Sequence, residues 1–237
     1  MIFRWLPPMA ALALSGCIVI GSRSEDYGPP RHEFRSIDRE SLTRLRVRLD
    51  MAVGHLQASS GSEKLLSANF DYSFPSWKPE VRYHSTAGVG DLEIQQPPDH
   101  DPHLGNHKYD WDVRLMRDVP IDLNVHFGAG EAQLDLGRLD LSNVEVEMGV
   151  GQLKLDLRGD PKHDYRVRIR GGVGEAVVHL PSDVGVVAEA EGGIGSIDAP
   201  GLTHRGSEYQ NDAYGKSKVT VRLDVRGGIG SIRLLTD

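Results

Sequence analysis

Along Val144-Glu-Val-Glu-Met-Gly-Val-Gly-Gln-Leu-Lys-Leu-Asp-Leu157 apolar and polar residues alternate, and midway the alternation changes phase. Val144, Val146, Met148 and Val150 fall on even positions; Leu153, Leu155 and Leu157 fall on odd ones. A period of two predicts a half-buried β-strand. The phase change at Gly151-Gln152 predicts a corner that turns the chain while keeping its apolar residues on one side. Glycine suits such a corner because it accepts positive φ without a Cβ clash. The same change recurs at Gly54, Gly90, Gly130, Gly174, Gly195 and Gly230, each between two alternating runs. Gly130, Gly151, Gly174 and Gly195 are spaced by 21, 23 and 21 residues, and the remaining gaps are 36, 40 and 35. Repetition near 21 predicts an all-β chain folded as a single-stranded β-solenoid, with the longer gaps holding an insertion or a glycine-poor coil. The competing arrangement is an antiparallel β-sandwich of hairpins, which has the same phase changes. Parallel stacking of successive coils separates the two.

Less regular strands are expected over 65–72 and 79–84, with Pro75, Trp77 and Pro79 in a loop between them. Trp77 is read as packing over a sheet end, with sugar stacking as the other use of such a ring. Tyr209 and Tyr214 lie in the polar segment 204–218 and are expected to cap the solenoid, with contact to a ligand as the other use. Ile232 to Leu235 is expected to form its edge unless that segment covers it.

Composition narrows the partners. The chain has 237 residues and a formal net charge of -7, with no basic run, so nucleic acid is not an expected partner. The single cysteine allows no internal disulfide.

Residues 1–16 read as a signal segment: Arg4 supplies the positive charge, and the apolar stretch from Trp5 to Leu14 is too short to span a bilayer. Leu14-Ser15-Gly16-Cys17 resembles the lipobox of bacterial lipoproteins. That resemblance implies cleavage before Cys17 and a diacylglycerol on its thiol. Two acyl chains give durable anchoring where one is marginal. Residues 17–35 read as a lipidated tether and 36–237 as one folded domain. Ile18 after the cysteine leans towards the outer membrane.

The runs 45–57, 66–72 and 77–83, followed by Gly88-Val-Gly-Asp-Leu-Glu-Ile94, resemble the opening of a toast-rack domain. The later Gly-Val-Gly and Gly-Ile-Gly repeats continue the likeness to the C-terminus. Toast-rack domains occur in bacterial envelope proteins, among them regulators of the response to cell-wall-active antibiotics and adhesin-like proteins. The resemblance implies a solenoid in which each coil stacks on the last, and it supplies no catalytic residues.

Little in the chain points to chemistry. His100, His103 and His107, with Asp99, Asp101 and Asp110, form a cluster able to ligate a divalent ion; otherwise they belong to a solvated loop whose charge rises as pH falls through about 6.5. No other metal and no cofactor is expected. Gly-x-Gly is followed by a strand, not by the helix that a phosphate site needs. The outward residues Asp135, Glu145, Glu147, Lys154 and Asp156 are the ones a glycan-active enzyme would draw on; water-facing polarity explains them equally. The resulting expectation is a non-catalytic lipoprotein of the cell envelope, held by its lipid anchor in the membrane. It would serve as scaffold or binding module for an envelope protein or a glycan. The alternatives are a sensor or regulator of envelope stress and, third, a glycan-active β-helix enzyme.

Overall fold

The computed structural model describes residues 29–98 and 107–236. Thirteen strands follow in order: β1 (Arg31–Ile37), β2 (Arg44–Ser60), β3 (Leu66–Tyr72), β4 (Glu80–Thr86), β5 (Val89–Gln95), β6 (Tyr109–Leu115), β7 (Ile121–Asp135), β8 (Leu141–Asp156), β9 (Tyr165–Leu180), β10 (Gly185–Asp198), β11 (Thr203–Arg205), β12 (Glu208–Gln210) and β13 (Thr220–Thr236). A 3-10 turn, Pro75–Trp77, is the one helical element among the described residues. No helix there is long and apolar enough to cross a membrane.

The long strands β2, β7, β8, β9, β13 and β10 are the rungs. Each is bent at a glycine into two arms, and neighbouring rungs pair in parallel along both. This decides for the solenoid. The inward residues of the two arms, such as Val144 and Val146 with Leu153 and Leu155 in β8, share one buried core. Five residues, 136–140, suffice to return the chain from the second arm of β7 to the first arm of β8.

Glycine is required at the bend by space as well as by φ. Gly151 has φ 142°, and a Cβ on it would strike the carbonyl oxygen of Gly130 on the rung below. The glycines at 54, 130, 174, 195 and 230 repeat this, each against the neighbouring backbone. A second glycine column two residues earlier (128, 149, 172, 228 and 193) is equally crowded by the carbonyl oxygens next to it.

Several expectations are corrected. Gly90 is not a corner: it has no positive φ and lies buried within β5, paired with Leu45. The reversal there is Ala87-Gly88, which closes the antiparallel β4–β5 hairpin. Glycine is needed at 90 because a Cβ would press on Leu42, Leu45 and Tyr83. The coils do not all stack in sequence order either, since β13 lies between β9 and β10. Ile232 and Arg233 are therefore paired on both sides, Leu234 and Leu235 pair with β9, and β10 is the terminal rung. Residues 31–35, assigned above to the tether, belong to β1, which pairs with β3. Val150 and its equivalents do not join the core. Val53, Val150, Val173, Ile229 and Ile194 are exposed, in register along the outside of the bend with Ala129 among them. Inside so sharp a corner neighbouring backbones already touch, so the residue between the two glycines turns outward.

The long gaps hold insertions. Residues 61–120 contribute β3–β6, and residues 199–219 contribute β11 and β12. Trp77 is buried beside Phe74 and Tyr109, as the sheet-end packing requires. Tyr209 sits half-buried in β12, stacked on His204 at 4.5 Å.

Candidate functional site

The first arm of β2 has two neighbours. β7 pairs with it on one side and β5 on the other, and β4 extends the sheet beyond β5. Because strands alternate, the buried faces of Val47, Leu92 and Leu123 leave Arg46, Arg48, Asp91, Glu93, Asp122 and Asn124 on the opposite face. Across this face, from Arg82 and His84 on β4 to Asn143 on β8, runs an open groove of about 730 Å³.

Its charges are matched across strands. Arg46 lies 3.2 Å from Asp91, which His84 approaches at 3.6 Å. Arg82 reaches Glu93 at 3.4 Å and also contacts Glu80. Arg44 reaches Asp122 at 3.4 Å and Arg48 reaches Asp50 at 3.2 Å. The side chains of Arg46, Arg48 and Arg82 remain more than half exposed, so these ion pairs add little stability and stay open to exchange with a ligand. Planar guanidinium forks, carboxylates and the amides of Asn124 and Asn143 offer donors and acceptors in rows about 4.8 Å apart, the strand spacing. Such a face can hydrogen-bond an extended polar chain.

Among the described residues, four carboxylates away from the groove have a pKa displaced downward. Asp71 is lowered by hydrogen bonds from Lys108 and His32 against the effect of burial. Asp156 is lowered by hydrogen bonds from Arg158, again against burial. Asp164 is lowered by the Thr220 amide and by Arg222. Burial acts to raise Glu33, but hydrogen bonds from Lys78 and Tyr72 and the Arg35 charge outweigh it.

The residues singled out from sequence fare unequally. Cys17, His100 and His103 lie outside the described residues. His107 is described, and its ring packs edge-on against Phe74 at 4.5 Å. No group of three or more His, Cys, Asp or Glu placed to hold a metal occurs among the described residues. Glu145 and Glu147 pair with Arg168 and Arg170 of β9 at 3.4 and 3.3 Å, and Asp156 pairs with Arg158 at 2.6 Å. The groove itself was missed. The alternation 44–50 places Arg46 and Arg48 outward, but nothing local reveals that β4 and β5 lie beside them.

Residues 27–179 match the N-terminal domain of the toast-rack family, and residues 129–234 match the C-terminal domain of the cell wall-active antibiotics response protein LiaF. A candidate cell adhesion protein from Clostridium sporogenes is 34% identical with a TM-score of 0.85, over 88% of this chain and 100% of that one. A candidate adhesin from Bacteroides fragilis (10% identity, TM-score 0.27) aligns over 86% of this chain and 97% of its own. One from Parabacteroides merdae (14% identity, TM-score 0.25) aligns over 88% and 97%. Those two scores are too low to bear on the fold. No curated protein matches the chain.

Proposed function

Because this chain belongs to the toast-rack family of bacterial envelope proteins, we propose that it is a non-catalytic binding module displayed from the cell envelope. The observation that carries this reading is the β4–β5–β2–β7–β8 groove: wide, edged by charged and amide side chains, charge-matched and built on paired strands. Rigid strands fix the spacing of its donors and acceptors before a ligand arrives, which lowers the ordering cost of binding. Its ligand is a polar polymer of the envelope, a glycan in the first instance, with an envelope protein as the alternative. Anchoring through a lipid on Cys17 belongs to the same proposal.

Binding of the purified protein to isolated cell-wall glycan tests it. The expected result is saturable binding that falls at least tenfold in Arg46→Ala/Arg82→Ala while the thermal midpoint holds. Unchanged binding by that variant removes the groove from the reading. Incorporation of labelled lipid, lost in Cys17→Ala, tests the anchor. The match of residues 129–234 to the LiaF C-terminal domain favours a second reading, regulation of the envelope-stress response. Crosslinking in membranes separates the two: a signalling protein as the captured partner supports regulation, and wall material supports the binding module. Turnover of a polysaccharide, lost on replacing the outward acids, would replace both with an enzyme.

A further inference from the structure

The two sides of β10 are unequal. Its inner side pairs with β13 from Gly185 to Asp198, but its outer side meets β12 only at Val187–Glu189. From Ala190 onward the outer edge has no strand partner among the described residues. Six consecutive residues there, Glu191–Ser196, are exposed. This length has no proline and no lysine, two devices that normally close an edge to added strands.

The corner geometry limits what fits. Along the stack, each corner glycine lies against a carbonyl of the rung before it: Gly195 on Gly230, and Gly193 on Gly228. On the open side, the carbonyls of Gly193 and Gly195 face the next strand in the same way. A parallel strand added there needs two glycines separated by one residue. That middle residue would continue the aliphatic row outside the bend. Ile194 ends this row at 72% exposed, against 43% for Val173 and 55% for Val150, because it is covered on one side only.

Charge decides between partners. The outward residues Glu191 and Asp198 stand in register with Arg226 and Arg233 of β13, and Arg226 lies 3.8 Å from Glu191. A second copy pairing antiparallel through its own β10 meets like charges in the two registers that set Ala190 opposite an inward apolar residue of the second arm. Setting Ala190 opposite Ile197, apolar to apolar, puts Glu189 opposite Asp198. Setting Ala190 opposite Ala199 puts Glu191 opposite Asp198. Like charges directly opposite are destabilising.

We propose that the outer edge of β10 takes up a strand of another protein. The strand runs parallel to β10 and has a basic residue, two glycines, an aliphatic residue, a further glycine and, three positions on, a second basic residue. Arg226-Gly-Gly-Ile-Gly-Ser-Ile-Arg233 of this chain's own β13 has this form. Main-chain hydrogen bonds supply the affinity, and the corner and flanking acids supply the selection. The surface lies at the opposite end of the stack from the groove, and neither reading depends on the other.

A labelled peptide with the sequence of residues 220–235 is the probe, with fluorescence anisotropy on the purified protein as the readout. The expected result is saturable binding that weakens at least tenfold in Glu191→Lys/Asp198→Lys. It weakens equally when Gly228 and Gly230 of the peptide are replaced by alanine. Ile194→Lys, at an exposed side chain, gives the same reading if the double variant fails to fold. Absence of binding overturns the proposal, as does binding indifferent to both sets of changes. Self-association of the protein through this edge, abolished by the charge reversal, would place a second copy there and overturn it too. Glycan binding by the charge-reversal variant stays at the wild-type level, which keeps the two tests separate.

Discussion

At the β2 end of the stack, both arms gain one short parallel strand and then turn antiparallel: β5 and then β4 continue the first, and β6, then β3 and β1, continue the second. Even the corner is covered. Gln96 accepts hydrogen bonds from the amides of Ala52 and Val53 at 2.8 and 3.2 Å, and the Tyr109 carbonyl faces Gly54. Beneath these strands lie Phe70, Phe74, Trp77, Tyr109 and Trp111, edge to face. At the β10 end only the start of the first arm is covered, by β12, and small residues run through the corner. Parallel rungs extend by repeating one another, so their corners require glycine; a finished end requires a change of direction and bulk. One end therefore terminates the solenoid and the other leaves it extendable.

The strongest way to break this comparison is to damage what both ends share. Gly151→Ala in the middle of the stack combines a disfavoured φ with a collision against the Gly130 carbonyl. It is expected to cost roughly 5 kcal/mol or more and to abolish cooperative unfolding, measured by calorimetry. Next comes the closed end. Trp111→Ala removes a fully buried ring and is expected to cost about 4 kcal/mol in denaturant unfolding.

At the other end the comparable support is a single amide. Asn211 is buried, accepts from the Val186 amide at 2.9 Å and donates to the Val184 carbonyl at 2.7 Å. Asn211→Ala is expected to cost about 2 kcal/mol. Hydrogen exchange should then accelerate in β10 and leave β3 and β6 unchanged.

Acid sharpens the contrast further. Asp71, on β3, is hydrogen-bonded by Lys108 and His32 at 2.8 Å each, and its pKa lies below the usual value. Its contribution to stability is present above the unfolded-state pKa of about 3.9 and is lost as pH falls through the lowered folded value. Protection factors in β1 and β3, corrected for intrinsic exchange, should therefore fall as pH drops below about 4. Asp71→Asn should remove that part of the dependence. The smallest effect is expected for Ile194→Ala, within about 0.5 kcal/mol, because the side chain is mostly exposed. A larger loss would mean that the β10 corner is already covered in the isolated protein.

Most of the rung architecture was legible because its signal is local. Alternation and Gly-x-Gly, or Ala-Val-Gly in β2, lie within about 15 residues of each other in every rung. Gly90 misled because a hairpin glycine two positions away, Gly88, produces the same change of phase. Val53 and Val150 misled because periodicity cannot tell the last inward residue from the first one on the outside of a bend. The order of the rungs was illegible for a deeper reason. Rungs with nearly identical patterns can pair in any order, and what places β13 beside β9 is a set of long-range contacts. Among them are Arg222 with Asp164 at 3.0 Å and Arg168 with Asp224 at 3.8 Å. The groove was hidden likewise, since its walls come from five strands spread over residues 80–143 and the first arm of β2.

The place of β13 sets a schedule for assembly. During synthesis β10 emerges before the strand that separates it from β9, so it cannot take its permanent neighbour when it appears. Either it waits unpaired, or it lies against β9 and must be displaced when β13 arrives. In both cases completion of the sheet is deferred until β13 has been made, and a premature β9–β10 ladder becomes the natural kinetic trap of this chain.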